Sequence, residues 1–135
     1  MTVHSLETLT FDNSYARLPE VFYAKVNPTP FSAAPFLISA NRAAMELLDL
    51  DPAEAARPEF AGVFGGSLLI PGMEPLAMLY SGHQFGVYVP QLGDGRAILL
   101  GEVTNGRGER WEFPSDLPSR RALEHFHCTP RFPFP

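Results

Sequence analysis

The clearest amphipathic pattern in the chain lies between residues 39 and 50. Apolar side chains recur there at helical spacing, at Ala40, Ala43, Ala44, Met45, Leu47 and Leu48. This pattern predicts a helix with one buried face, and Ser39 or Asn41 can cap its N-terminus. The next residues, Asp51-Pro52-Ala53-Glu54, predict a short second helix with Asp51 as N-cap, Pro52 at its first position and Glu54 completing a capping box.

Alternating apolar residues predict strands in the second half of the chain, at about 84–89, 96–103 and 109–113. Asn105-Gly106-Arg107-Gly108 predicts the turn that joins the last two strands. Residues 60–75 are rich in glycine and apolar side chains, which predicts a loop or a short strand. The stretch from Pro75 to Tyr80 suits a short buried helix that begins with proline.

The two ends of the chain carry no periodic pattern. Residues 1–35 mix aromatic residues with turn formers and four prolines, so they predict an extended N-terminal arm that packs over a domain surface. Residues 113–135 hold five of the 14 prolines and three arginines, which predicts an irregular, loosely ordered tail. We therefore divide the chain into a domain segment, 1–112, and a divergent Pro-rich tail, 113–135.

Composition places the chain among single-domain globular proteins. It has 135 residues, of which 45% are hydrophobic and 19% charged. The net charge of −5 gives no basic face for nucleic acid. We find neither an apolar run of membrane-spanning length nor a secretory signal, so we expect a cytoplasmic protein without a membrane partner. The single cysteine, Cys128, excludes an internal disulfide framework.

The strongest candidate for chemistry is Gln91-Leu92-Gly93-Asp94-Gly95-Arg96, which lies between two predicted strands. The glycines let backbone N–H groups approach an anion closely, and Arg96 adds a planar cation for phosphate oxygens. The same pattern is also a common hairpin turn, and Asp94 would repel phosphate unless its side chain points away. The residues alone leave both interpretations open.

Other polar residues are weaker candidates. His83, in Ser81-Gly82-His83-Gln84-Phe85-Gly86, is a candidate general base or metal ligand. His125, His127 and Cys128 resemble half of a zinc site, but no second half stands at a recognisable spacing. Ser67, Ser81 and Ser115 have no obvious His/Asp constellation, and we expect Asp12, Glu20, Glu102 and Glu112 to form salt bridges before they take part in catalysis.

Several longer motifs occur in a specific order between residues 8 and 112, and with them the chain resembles the N-terminal part of the selenoprotein O family, called YdiU in bacteria. The matching segments are Phe11-Asp12-Asn13-Ser14-Tyr15-Ala16-Arg17-Leu18-Pro19, Val26-Asn27-Pro28-Thr29-Pro30, Pro75-Leu76-Ala77, Gly82-His83-Gln84-Phe85-Gly86 and the run from Pro90 to Glu102.

The resemblance implies an α+β fold that forms part of a protein-kinase-like N-lobe, with short helices and a small antiparallel sheet. It implies a pseudokinase that binds ATP with Mg²⁺ and transfers AMP to hydroxyl side chains of protein substrates. Gly93, Gly95 and Arg96 would then contact ATP.

The chain departs from the family pattern after Glu112. An ion-pairing lysine is expected in the following strand, but Asp116 stands there, and the only lysine, Lys25, does not match that position. The catalytic Asp and the Mg²⁺ ligands implied by the resemblance have no counterpart in these 135 residues. We therefore expect a frameshifted or truncated adenylyltransferase that is inactive alone. The alternatives are an assembly error in a full-length gene, a small non-catalytic protein-binding module, or a non-functional pseudogene product.

Overall fold

A computed structural model describes residues 2–92 and 97–115 and shows an α+β arrangement with few helices and a small antiparallel sheet. The two α-helices are α1 (Arg42–Leu47) and α2 (Pro58–Phe64). The strands are β1 (Tyr23–Lys25), β2 (Leu76–Met78), β3 (Tyr80–Gln84), β4 (Val87–Leu92), β5 (Ile98–Thr104) and β6 (Arg110–Ser115). Short 3-10 turns cover Leu6–Thr8, Tyr15–Arg17, Glu20–Phe22 and Pro52–Ala56. In the described ranges, no helix is long and apolar enough to cross a membrane.

The main sheet is four-stranded and antiparallel, in the order β1-β2-β5-β6. β5 is one of its two central strands, and its residues from Ile98 to Val103 are all buried, as expected of a nearly continuous apolar run covered on both faces. β5 and β6 are joined by the predicted turn, in which the Asn105 side-chain oxygen accepts hydrogen bonds from the backbone N–H groups of Arg107 and Glu109. The prediction of this hairpin is confirmed.

The N-terminal arm is more than a cover over the surface. Leu6 and Leu9 are buried in the main core together with residues of β5 and α2. The arm also contains β1, the edge strand of the main sheet, which pairs with β2. A backbone bridge also pairs Phe11 with Val103 of β5. The arm therefore supplies both core side chains and backbone pairing, although the sequence predicted only aromatic anchors.

Two predicted elements are wrong. Residues 58–64 form helix α2 rather than a loop or strand, since Pro58 occupies the first turn and Phe60 and Val63 are buried three positions apart. Residues 76–78 form β2 rather than a helix, because they pair with β1 on one side and β5 on the other. The single strand expected at 84–89 is wrong as well, because a turn at Phe85 and Gly86 divides it between the end of β3 and the start of β4.

The helix predicted at 39–50 is present but shorter. Asn41 is its cap, with its side-chain oxygen accepting from the N–H of Ala44 at 3.3 Å. Only Met45 of the six helical residues is buried, so the apolar stripe predicted as core is largely exposed.

The cap of the following turn is confirmed, because the Asp51 carboxylate accepts from the N–H of Ala53 at 2.8 Å. Glu54 forms no capping box there. Its carboxylate is buried instead and accepts hydrogen bonds from the N–H of Leu6 and from Arg57.

The last described strand, β6, continues through Phe113, Pro114 and Ser115. Phe113 is buried at 2% exposure and packs against Phe11 and Phe64. The first three residues of the predicted tail therefore belong to the sheet, while 116–135, including His125, His127 and Cys128, lie outside the described residues.

Candidate functional site

The candidate nucleotide-binding segment follows a β-hairpin made of β3 and β4. The hairpin pairs Gly82 with Val89 and His83 with Tyr88, and its tip is formed by Phe85 and Gly86 at φ values of 54° and 75°. Two successive residues with positive φ are typical of type I′ hairpin turns, whose twist matches that of the flanking strands. The hairpin forms a sheet separate from the four-stranded one.

Most of the side chains on this hairpin are exposed. Phe85 is 98% exposed at the tip, and Tyr80, Val87 and Tyr88 are each more than half exposed. Phe85 therefore projects an aromatic ring at a backbone conformation that bulky residues rarely adopt.

His83 packs against an aromatic ring rather than in a charged site. Its imidazole lies 5.6 Å from the Tyr88 ring, at an angle of 62°. The hydrogen bonds and ion pairs found in the described ranges include none from the His83 imidazole to a carboxylate, so no orienting partner for a general base is seen there. The general-base interpretation of His83 therefore has no support from this geometry.

Gly93, Gly95 and Arg96, the residues predicted to contact ATP, lie outside the described residues, as does Asp94. The strands before and after this segment are described. β4 ends at Leu92, and β5 begins at Ile98. Gln91 and Leu92, the first two residues of the candidate segment, therefore belong to β4, and the contacts of Gly93, Gly95 and Arg96 stay a prediction.

β5 is held in place by a buried carboxylate that the sequence interpretation assigned only to a salt bridge. Glu102 is 7% exposed. It accepts a hydrogen bond from the Ser14 hydroxyl at 2.6 Å and one from the backbone N–H of Tyr15 at 2.7 Å. Arg110 Nε lies 3.9 Å from the same carboxylate. Two hydrogen bonds and a cation compensate for burying this charge.

The backbone of Glu102 is bound to the arm as well. Its carbonyl accepts from the N–H of Asp12 at 2.8 Å, and its N–H donates to Asn13 Oδ1 at 2.9 Å. The Asn13 amide nitrogen in turn donates to the Gly72 carbonyl and to the Glu74 carboxylate, at 2.7 and 3.0 Å. One arm segment, residues 11–15, thus joins β5 to the loop before β2.

Two glycines make room for this arm segment. A Cβ at Gly101 would lie 2.7 Å from the Phe11 ring, and a Cβ at Gly72 would lie 2.8 Å from the same ring. Gly72 also has a φ of +93°, which side-chain-bearing residues rarely adopt. We call the slot between Gly72 and Gly101, in which Phe11 lies, the arm slot.

The ion pairs beside the arm slot lie at the surface. Asp12 binds Arg17 at 2.7 Å and also pairs with Arg110. Hydrogen bonds from Arg17, and then from Arg110, hold the pKa of the Asp12 carboxyl below its usual range. The expectation of a salt bridge at Asp12 is confirmed.

The only lysine, Lys25, lies on β1, at the edge of the main sheet. It is in register with Leu76 of β2, and Leu76 is in register with Leu99 of β5. Lys25 is thus separated from β5 by one strand, or roughly 9–10 Å across two strand spacings.

Residues 2–92 and 97–115 contain no group of three or more His, Cys, Asp or Glu side chains arranged to hold a metal ion.

The comparisons with known proteins agree with the motifs. The family model described as protein adenylyltransferase SelO matches residues 5–116. Protein nucleotidyltransferase YdiU of Myxococcus xanthus is 61% identical over 108 residues, covering 80% of this chain. The proteins of the same name from Thiobacillus denitrificans and Thioalkalivibrio sulfidiphilus are 59% and 54% identical over 80% and 82% of this chain.

These relatives are all named as protein nucleotidyltransferases. The chain belongs to the SelO family, which confirms the resemblance seen in its motifs. It spans 22% of the length of each of these three relatives.

Proposed function

We propose that this chain provides the ATP-binding part of a protein adenylyltransferase. The observation that carries the proposal is the family match over residues 5–116, because this range includes the Gly93-Asp94-Gly95-Arg96 segment. In the proposed site, ATP phosphates accept hydrogen bonds from backbone N–H groups at Gly93 and Gly95, and the Arg96 guanidinium neutralises part of their charge.

The topology supports a kinase-like N-lobe as the setting of this site. The glycine-rich segment precedes β5, one of the two central strands of an antiparallel sheet. Protein kinases cover the phosphates of ATP with a glycine-rich loop. The buried Glu102 and the arm segment at residues 11–15 hold β5 in place through hydrogen bonds, so the strand provides a fixed support for the segment that precedes it.

The proposed reaction of the whole family domain is nucleotidyl transfer. A hydroxyl oxygen of a protein Ser, Thr or Tyr attacks the α-phosphorus of ATP, the bond from that phosphorus to the bridging oxygen breaks, and pyrophosphate leaves. The hydroxyl proton passes to a base. Mg²⁺, when bound, neutralises phosphate charge. These 135 residues offer no counterpart to the family's base or metal ligands, so we propose that they bind ATP without transferring AMP.

ATP binding to the 135-residue chain tests the proposal. Titration with a fluorescent ATP analogue should show saturable binding, and Arg96→Ala should weaken it at least tenfold because a charged phosphate contact is lost. Arg42→Ala is the matched control, since Arg42 is 78% exposed and pairs with Glu46. The proposal fails if the chain binds no nucleotide, or if both variants bind alike.

A protein-binding module is the second candidate, and the exposed aromatic hairpin favours it. A chain that unfolds cooperatively but has no affinity for ATP would support the module and contradict the nucleotide site. Transfer of radiolabelled AMP to a protein by the purified chain would contradict the inactivity that we propose.

A further inference from the structure

Tyr80 is an exposed aromatic residue beside the strand that leads into the glycine-rich segment. It begins β3 and is in register with Leu92, the last residue of β4. The Cα atoms of residues directly opposite each other in an antiparallel pair lie about 4.5–5.5 Å apart. Gly93 follows Leu92 in the sequence, so the proposed phosphate-binding residues begin one residue after the position that is paired with Tyr80.

The short stretch 76–80 also lies beside the strand that follows the glycine-rich segment. Leu76 of β2 is in register with Leu99 of β5, and Tyr80 is four residues further along the chain. The stretch thus pairs with both of the strands that flank the segment. Its other residues are buried or half-buried, whereas Tyr80 is 62% exposed. Tyr80 is therefore the side chain of this stretch that a ligand can reach over most of its surface.

The backbone at Tyr80 is anchored to the main sheet. Met78 is in register with Tyr23 of β1, and the N–H of Leu79 donates to the Phe22 carbonyl at 2.8 Å. Tyr80 follows these two residues directly and is itself paired with β4. A side chain carried by regular strands is positioned more precisely than one carried by a loop, which suits Tyr80 to contact a ligand in a defined place.

Tyr80 differs from the other three tyrosines in its ring contacts. Tyr15 and Tyr23 pack their rings against each other at 6.2 Å, and Tyr88 packs against His83 at 5.6 Å. The aromatic ring pairs found in the described part of the chain include none with Tyr80. Within that part, no other aromatic ring occupies a face of the Tyr80 ring.

We propose that the Tyr80 ring stacks on the base of the nucleotide whose phosphates bind at the glycine-rich segment. The inference rests on the proposed nucleotide site and adds to it a residue that binds the base. Every nucleobase has a π-face, and an aromatic side chain stacks on it with little preference for one base over another. Tyr80 therefore contributes affinity for nucleoside triphosphates and does not by itself select adenine.

Calorimetric titration of the 135-residue chain with ATP and with inorganic tripolyphosphate separates base contacts from phosphate contacts. Tyr80→Ala should weaken ATP binding about fivefold or more, and it should leave tripolyphosphate binding unchanged, since tripolyphosphate has no base. Tyr80→Phe keeps the ring and should bind ATP like the wild type. Tyr88→Ala is the matched control, because it removes an exposed tyrosine of the same hairpin four residues before Leu92.

Circular dichroism verifies that each variant is folded. If Tyr80→Ala does not fold, Tyr80→Leu takes its place, because leucine keeps an apolar side chain without an aromatic ring. Arg96→Ala completes the set. It removes the proposed phosphate contact and should weaken the binding of both ligands.

The proposal is supported if Tyr80→Ala loses affinity for ATP alone and Tyr88→Ala loses affinity for neither ligand. It is overturned if Tyr80→Ala binds ATP like the wild type, if it weakens both ligands equally, or if Tyr88→Ala weakens ATP binding as much. When Arg96→Ala weakens both ligands and Tyr80→Ala weakens neither, the phosphate site stands and the role of Tyr80 is refuted. A chain that binds neither ATP nor tripolyphosphate refutes the nucleotide site and the role of Tyr80 together.

Discussion

The hydroxyl of Ser14 donates a hydrogen bond of 2.6 Å to the carboxylate of Glu102, which lies 88 positions further along the chain. The N–H of Tyr15 donates to the other oxygen of the same carboxylate. A buried carboxylate is stable only when its oxygens are hydrogen-bonded or paired, so the arm and β5 depend on each other. The arm is thereby part of the folded domain.

Replacement of Glu102 tests this dependence. We expect Glu102→Ala to destabilise the fold by about 2–3 kcal/mol, because the Ser14 hydroxyl and the Tyr15 N–H lose a charged acceptor in a buried place. Glu102→Gln should cost less, since its amide retains one acceptor oxygen. Urea unfolding monitored by fluorescence measures both. Glu20→Gln is the control at an exposed carboxylate, and a loss for Glu102→Ala no larger than for this control would refute the role.

The arm slot gives a second prediction. Gly101→Ala places a Cβ 2.7 Å from the Phe11 ring and 2.9 Å from Asn13 Oδ1, so the arm must shift, and we expect a loss of about 1–3 kcal/mol. Cleavage of the arm by chymotrypsin should also become faster, because displaced residues are more accessible to the protease.

Gly62→Ala is the control for this substitution. It adds the same methyl group, but the atom nearest to the added Cβ is Leu68 Cβ, at 3.4 Å. Gly62 lies inside α2, where alanine favours a helix over glycine by up to about 1 kcal/mol. Gly62→Ala should therefore be neutral or stabilising. Equal effects of the two substitutions would show that the arm slot is not tightly packed.

The sequence predicts elements well where local chemistry decides them. The apolar run of β5, the alternating residues of β6 and the Asn105 turn are such cases, because turn and pairing depend on adjacent residues. Helix α2 was missed since Gly62, Gly65 and Gly66 suggest a loop, whereas burial of Phe60 and Val63 selects the helix. β2 has only three residues, too few for a periodic pattern, and its conformation comes from pairing with distant strands.

The candidate site was likewise predictable from the sequence only in part. The glycine-rich segment was visible as a local motif, but the support of β5 by Glu102 depends on residues almost ninety positions away. One signal was present in the sequence. Glu102 is the only charged residue between Ile98 and Val103, and a single charge inside a buried strand requires a partner. Its partners, the Tyr15 backbone N–H and the Ser14 hydroxyl, cannot be chosen without the three-dimensional contacts.

The ion pair between Glu7 and Arg57 predicts a dependence of stability on acid pH. Two hydrogen bonds from Arg57, at 2.7 and 3.1 Å, lower the pKa of Glu7 from 4.5 to about 2. A carboxyl whose pKa is lower in the folded state stabilises the fold above its unfolded pKa. This contribution should be lost as the pH falls from about 4.5 towards 2.

Glu7→Gln removes this titration. The urea midpoint of the variant should fall less steeply with pH than that of the wild type over the same window, and it should be slightly lower at pH 7, because the pair is partly exposed and screened. Parallel profiles for the two proteins between pH 5 and 2 would contradict the assignment to Glu7.

Leu6 provides the most direct test that the N-terminal arm belongs to the core. Its side chain is fully buried among β5, α2 and Leu50, so Leu6→Ala removes packed atoms and leaves a cavity. We expect a loss of about 2–5 kcal/mol in the free energy of unfolding, a large fraction of the stability of a small domain. Val3→Ala, three residues earlier and 57% exposed, should change the free energy of unfolding by less than about 0.5 kcal/mol.

Equal, small effects of both substitutions on the urea midpoint would mean that the arm detaches without unfolding the sheet. A large effect of Leu6→Ala with an unchanged m-value would show that arm and sheet unfold as one cooperative unit.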